Sequence, residues 1–166
     1  MKRLFTVLAL VLFPVLVFAK GIGYGNTQWG MNPNQVVIAE KGKAKIIEPK
    51  EFTGGLGKAR AENIKIDGST YTATYVFDDS NQLVATYLIS NEKSSAGITN
   101  SEFNSLDKLL TQKYGKPQFK NENTVTWKTS STTIELKKII VNSISYASAT
   151  VSYVPNSKVE SDISNL

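Results

Sequence analysis

The chain has 166 residues, 19 basic against 14 acidic, and contains neither cysteine nor histidine. These absences remove disulfides, Ser–His and Cys–His nucleophile pairs and nearly every transition-metal site. The basic excess is mild and almost wholly lysine, with Arg3 and Arg60 the two arginines, which argues against a nucleic-acid surface, where arginine is prominent.

Residues 1–19 read as a signal peptide. Lys2 and Arg3 give a positive start, an apolar core follows from Leu4, and Val17 and Ala19 are small residues at the positions a signal peptidase reads. Cleavage is expected after Ala19, and the apolar run is too short to favour an uncleaved anchor across ~30 Å of hydrocarbon. No cysteine is available for a lipid anchor. The expected location is periplasmic or extracellular, the choice between them staying open, with no stable membrane anchor after cleavage and no nucleic acid as partner.

Lys20 to Gln28 reads as a flexible glycine-rich lead. Its Gly21, Gly23 and Gly25 form a G-x-G-x-G run with no strand before it and no helix opening on it, so a nucleotide site is not expected. Asn32 is then a helix cap, Pro33 suits the first helical position, Gln35 completes a capping box and Gly42 can stop the helix. The content Val36-Val37-Ile38 is β-branched, and a strand is the competing reading. Lys43 to Lys58 is the least regular stretch. Its Gly54 to Lys58 is not a phosphate loop, because residue 52 is Phe and Ala59 follows the lysine; the lysines at 41, 43, 45, 50 and 58 read as solvated surface.

From Ala59 the apolar period becomes two. Strands are expected over Ala59 to Ile66, Thr70 to Phe77 and Leu83 to Ser90, with a hairpin turn at Asp67-Gly68. Tyr71, Ala73, Tyr75 and Phe77 share one face, and Thr70, Thr72 and Thr74 the other. The loop from Asp78 to Asn81 lacks the glycine of a calcium loop and has Ile89 where the bidentate Glu belongs.

The strongest helix signal runs from Ile98 to Pro117. Thr99 and Glu102 form a capping box, Phe103, Leu106, Leu110 and Tyr114 an apolar stripe, and Gly115 and Pro117 a stop. Strands follow over Thr124 to Thr129, Thr132 to Val141 and Ser143 to Val154, and residues 156–166 read as a disordered tail. Asn32 and Thr99 open similar helix starts, which suggests half-repeats over 29–90 and 98–154. The expected fold is α+β: one domain over 20–155, an antiparallel sheet of about six strands in the order αβββαβββ, both helices on one face.

The run Trp29-Gly30-Met31-Asn32 with Val36, followed by Leu106 to Pro117 (LDKLLTQKYGKP) before a strand bearing Trp127, resembles a broad set of small exported bacterial proteins. The helix-plus-meander unit is similar to the repeats of β-lactamase inhibitory protein and to the small lipoprotein of the outer-membrane assembly machinery, over most of residues 29–154. The chain departs from those relatives in lacking a lipobox cysteine and disulfides, and in showing one clear helix per unit where they commonly have two. The resemblance implies a binding or assembly role on a sheet face and carries over no catalytic residue.

Asp78 and Asp79 are adjacent on a turn and point apart, and Glu48 and Glu51 flank Pro49, so neither pair is expected to act as acid and base. Trp29 and Trp127 read as core or edge residues rather than ligand platforms. No catalytic residue, metal ligand or cofactor is expected. The expected function is recognition of another exported protein through the polar sheet face, at Thr72, Thr74, Thr126, Lys128, Glu135 and Lys137. The alternative is a carrier of a small ligand or lipid, with a cavity between helices and sheet.

Overall fold

The computed structural model describes residues 21–164, and the expected signal peptide lies outside them. Helix α1 (Pro33–Ala39) starts as its sequence dictates: Asn32 accepts the Gln35 N–H at 3.0 Å and Gln35 Oε1 accepts the Asn32 N–H at 2.9 Å. Strands β1 (Ala44–Phe52), β2 (Gly55–Ile66), β3 (Ser69–Phe77) and β4 (Leu83–Ser90) follow as an antiparallel meander. Asp67 and Gly68 both take positive φ, 47° and 86°, as a two-residue hairpin turn requires. Helix α2 (Ala96–Tyr114) opens the second half, and β5 (Phe119–Lys120), β6 (Thr124–Lys128), β7 (Thr132–Val141) and β8 (Tyr146–Pro155) form a second meander. Helix α3 (Asn156–Ser164) ends the described chain.

All eight strands lie in one sheet in the order β1-β2-β3-β4-β8-β7-β6-β5. The last strands of the two meanders meet at its centre, where Thr86 to Ile89 pair antiparallel with Thr150 to Tyr153. Six strands and two helices in the order αβββαβββ is therefore overturned: among the described residues eight strands and three α-helices run αββββαββββα. The two missed strands are the sheet's edges. In β1 the register slips between Ile46 and Lys50, with Pro49 in the slip and lysines at 45 and 50. Those features blunt an open edge, and they also erase the period of two that announces a strand. At the other edge β5 has two residues, too few to show any period.

Helices α1 and α2 lie on one face, α1 over β1 and β2, α2 over β6, β7 and β8. Tyr71, Ala73, Tyr75, Leu88, Val151 and Trp127 face them from the strands, and Val36, Phe103, Leu106 and Leu110 meet them from the helices. Alanines 59, 61, 73 and 149 are fully or nearly buried and let the helices approach closely. The cap of α2 is Ser95, not Thr99. Thr99 and Glu102 sit one turn inside and are buried, Glu102 bonding Ser90 Oγ. Capping chemistry repeated four residues apart made the later start look sufficient.

Two further expectations are corrected. Residues 156–164 form α3 instead of a disordered tail, and α3 lies on the opposite face. There Thr133 Oγ1 donates to Asn156 Oδ1 at 2.9 Å, Lys158 Nζ to the Gly54 carbonyl at 3.3 Å, and Lys128 meets Glu160 at 3.2 Å. The glycine-rich lead is a tight turn instead of a flexible arm. Gly23 N–H donates to the Thr27 carbonyl at 2.9 Å, Ile22 bridges Gln28, and the Thr132 hydroxyl donates to the Ile22 carbonyl at 2.5 Å. Gly25, with φ 63°, lets this turn place Tyr24 over the middle of the sheet, 5.0 Å from Tyr153 and 6.3 Å from Tyr75 between ring centres.

Candidate functional site

Strand register fixes what the face away from α1 and α2 displays. Phe119, Thr126, Glu135, Ser152, Tyr87 and Thr74 form one row across it; Thr124, Lys137, Thr150, Ile89 and Thr72 form the next. All six expected binding residues are on this face, but not together. Thr72 and Thr74 on β3 stand three strand spacings, ~14 Å, from Glu135 and Lys137 on β7. Thr74 is 2% exposed, shut in where Phe52 closes over Gly57 and stacks on Tyr87 at 5.6 Å. Thr72 donates to Asn91 Oδ1 at 2.8 Å, and Lys128 is held by Glu160 of α3. That leaves Thr126, Glu135 and Lys137 as a contiguous group.

Beside Lys137 the same face turns apolar. Ile139 and Val141 share its side of β7, and Tyr146 is paired with Val141 across the hairpin. They are 44%, 36% and 47% exposed, and Ile144 on the connecting turn is 71% exposed. Sequence reasoning missed this strip, although the alternation that put Glu135 and Lys137 outward continues to 139 and 141. Tyr87 has little freedom: its hydroxyl donates to the Thr53 carbonyl at 3.1 Å, and burial, then the charge of Glu135, raises its pKa.

The inner face holds a second candidate. Between the end of α1, the Ile22–Gln28 turn and β2 lies a cleft of about 660 Å³, lined by Tyr24, Asn26, Glu40, Lys43, Asn63 and Tyr75 among others. Glu40 is 6% exposed and accepts the Asn26 N–H at 2.8 Å; no ion-pair partner for it is found among the described residues. The Tyr75 hydroxyl is buried without a hydrogen-bond partner. Burial, then Glu40's charge, pushes Tyr24 up to about 12, and the same causes push Tyr75 higher still. Burial, then Tyr114, likewise raises Tyr153 well above its ordinary value. Alternation put Tyr75 on one face with Tyr71, Ala73 and Phe77 and carried no sign of an unpaired hydroxyl. Glu40 carried one legible signal: a carboxylate just past the end of α1 opposes the helix dipole and needs a reason to be there.

The carboxylates named from sequence serve locally. Asp78 Oδ1 accepts the N–H groups of Ser80 and Gln82 at 2.9 and 2.8 Å, and Glu48 and Glu51 are exposed on the edge strand. Among the described residues no group of three or more acidic side chains is placed to hold a metal ion, and no helix is long and apolar enough to cross a membrane. A family model described as the TP0088 domain matches residues 22–164. No curated protein and no solved structure matches the chain.

Proposed function

The chain belongs to the TP0088 domain family, and from that premise we propose that it is an exported, non-catalytic protein that docks another exported protein. The docking surface is the outer sheet face at the β7–β8 hairpin. The observation that carries this reading is the strip of Ile139, Val141, Tyr146 and Ile144, left open to solvent on a face that α3 covers only at the other end. A contiguous exposed apolar strip of this kind marks an interaction surface more often than chance does. Lys137 borders it, exposed and with no acidic partner among the described residues. The partner that fits presents an apolar ridge with a carboxylate beside it.

Both sheet edges favour a face over strand addition. The β1 edge is broken by Pro49 and lined by lysines, and β5 is two residues long. The alternative, a carrier of a small ligand or lipid in a cavity between helices and sheet, finds no room under α2, where Phe103, Leu106 and Leu110 fill the space; the cleft beside α1 stays open to a small ligand. The non-catalytic reading draws on the absence of histidine and cysteine from the whole sequence and on the local duties of its carboxylates.

Photo-crosslinking in the producing cell tests the docking reading. A benzoylphenylalanine in place of Tyr146 should give one discrete adduct with a different exported chain. The same probe in place of Ile38, on the exposed side of α1, should give none, and adding Val141→Arg should remove the Tyr146 adduct. An adduct of twice the chain's mass, or one formed from Ile38 alone, would overturn the proposal. Intact mass of the exported chain should correspond to a start at Lys20.

A further inference from the structure

We propose that the cleft beneath the Ile22–Gln28 turn binds a small organic cation, an alkylammonium group, between the Glu40 carboxylate and the rings of Tyr24 and Tyr75. This site is on the inner face and owes nothing to the β7–β8 strip. Its first support is Glu40. A carboxylate held out of water is costly unless a cation or several donors compensate it. An ionised carboxylate has about four acceptor positions, and the one side-chain bond found for Glu40 is the Asn26 N–H. Lys43 and Lys65 line the same cleft, but both are exposed and neither is paired with Glu40 among the described residues.

The second support is independent. Tyr75 is fully buried, yet its hydroxyl has no partner, and it lines the same cleft. The other buried polar atoms left unpaired, on Arg60, Thr86 and Trp127, do not line it. Tyr24 and Tyr75 meet at 53° with 6.3 Å between ring centres, and both line the cleft with Glu40. Two aromatic rings beside a buried carboxylate are the elements of a site for an ammonium group. A metal ion is a poor fit, since hard cations want six or more oxygen ligands, and Glu40 and the exposed Glu62, the two carboxylates lining this cleft, belong to no group of three among the described residues. An anion is repelled by Glu40. The turn itself is shaped around the carboxylate: a Cβ on Gly25 would collide with Glu40 Oε1.

The probe is choline, with its neutral isostere 3,3-dimethylbutan-1-ol as control, each titrated into the ¹⁵N-labelled protein. Choline should shift the amides of Tyr24 to Thr27 and Ala61 to Ile64 saturably, and the alcohol should bind at least about tenfold more weakly, the factor that ~1.4 kcal/mol represents. Glu40→Gln keeps the side chain's size and its acceptor for Asn26. It should weaken choline at least about tenfold while shifting Tm by no more than about 2 °C. Should that variant lose stability, Tyr24→Leu keeps the apolar packing and removes the ring, and it should weaken choline severalfold. Ile139→Arg should leave choline binding unchanged and lose only the outer-face adduct. No saturable shift with choline, equal binding of the alcohol, or undiminished binding by a folded Glu40→Gln variant would each overturn the site.

Discussion

The two halves of the sheet are built on one plan and finished differently. Each is a helix followed by a four-stranded meander whose last strand reaches the centre. In the second half the helix has 19 residues and sends Phe103, Leu106 and Leu110 into the sheet, which closes that part of the inner face. In the first half the helix has seven residues and fully buries one of them, Val36. A two-turn helix cannot roof four strands, so the lead folds back and lays Tyr24 over the gap. What remains is the cleft, lined by Glu40 and Tyr75. A shortened helix therefore exchanges packing for a concavity, and the two halves divide stability unequally.

The largest expected effect tests that division. Leu106→Ala should cost ~2–5 kcal/mol, because it empties a site that a rigid helix and sheet cannot collapse around. Val36→Ala removes two methyl groups from a short helix beside an open cleft, and ~0.8 kcal/mol for each gives about 1.6 kcal/mol. Urea melts of the two variants measure the difference directly. Equal losses would mean that α1 is as firmly packed as α2 and that the first half is not the looser one.

What was legible in the sequence follows the same asymmetry. The α2 stripe, the Asn32 capping box, the Asp67-Gly68 turn and the alternation of β3 each rest on contacts within a few residues, and each was readable. The edge strands were not, because Pro49 and the lysines of β1 protect an edge by breaking strand periodicity. Helix α3 was not, because polar residues such as Asn156 and Lys158 find partners at Thr133 and Gly54, far away in sequence. Of the expected binding residues, alternation placed all six on the face away from α1 and α2, where the structure has them. It had no means of showing that Phe52 would seal Thr74 in or that Glu160 would engage Lys128. Glu40 and Tyr24 meet through the lead, which reads as loose until Thr132, 110 residues from Ile22, pins it.

A middle-sized effect depends on pH and touches both halves, since Tyr153 of β8 is raised as well. Tyr24 and Tyr71, both in the first half, are raised from 10.0 to about 12, chiefly by burial. A phenol with a raised folded-state pKa holds its proton more tightly when folded than when unfolded. Its stabilisation is complete below the unfolded value near 10 and is lost as pH climbs toward 12. Urea midpoints should thus be flat from neutrality to about pH 9 and fall beyond pH 10. Tyr24→Phe, which cannot ionise, should make that alkaline fall shallower. An unchanged alkaline limb in Tyr24→Phe would place the sensitivity in the other tyrosines and weaken the view that Tyr24 is sealed against the sheet.

The smallest effect compares the solvent sides of the two helices. Gln112 is exposed near the end of α2, and Gln and Ala are both good helix formers, so Gln112→Ala should change stability by less than ~0.5 kcal/mol. Ile38 is 76% exposed on α1 and is β-branched, losing side-chain freedom against the preceding turn of a helix with little length to spare. Ile38→Ala removes that restriction and gives up almost no buried area, so it should stabilise the protein by a few tenths of a kcal/mol. A short helix is the place where such an increment shows, because its packing contributes less to holding it. A loss above ~1 kcal/mol on Ile38→Ala would mean that Ile38 is covered in solution, and that the exposed side of α1 is itself a contact surface.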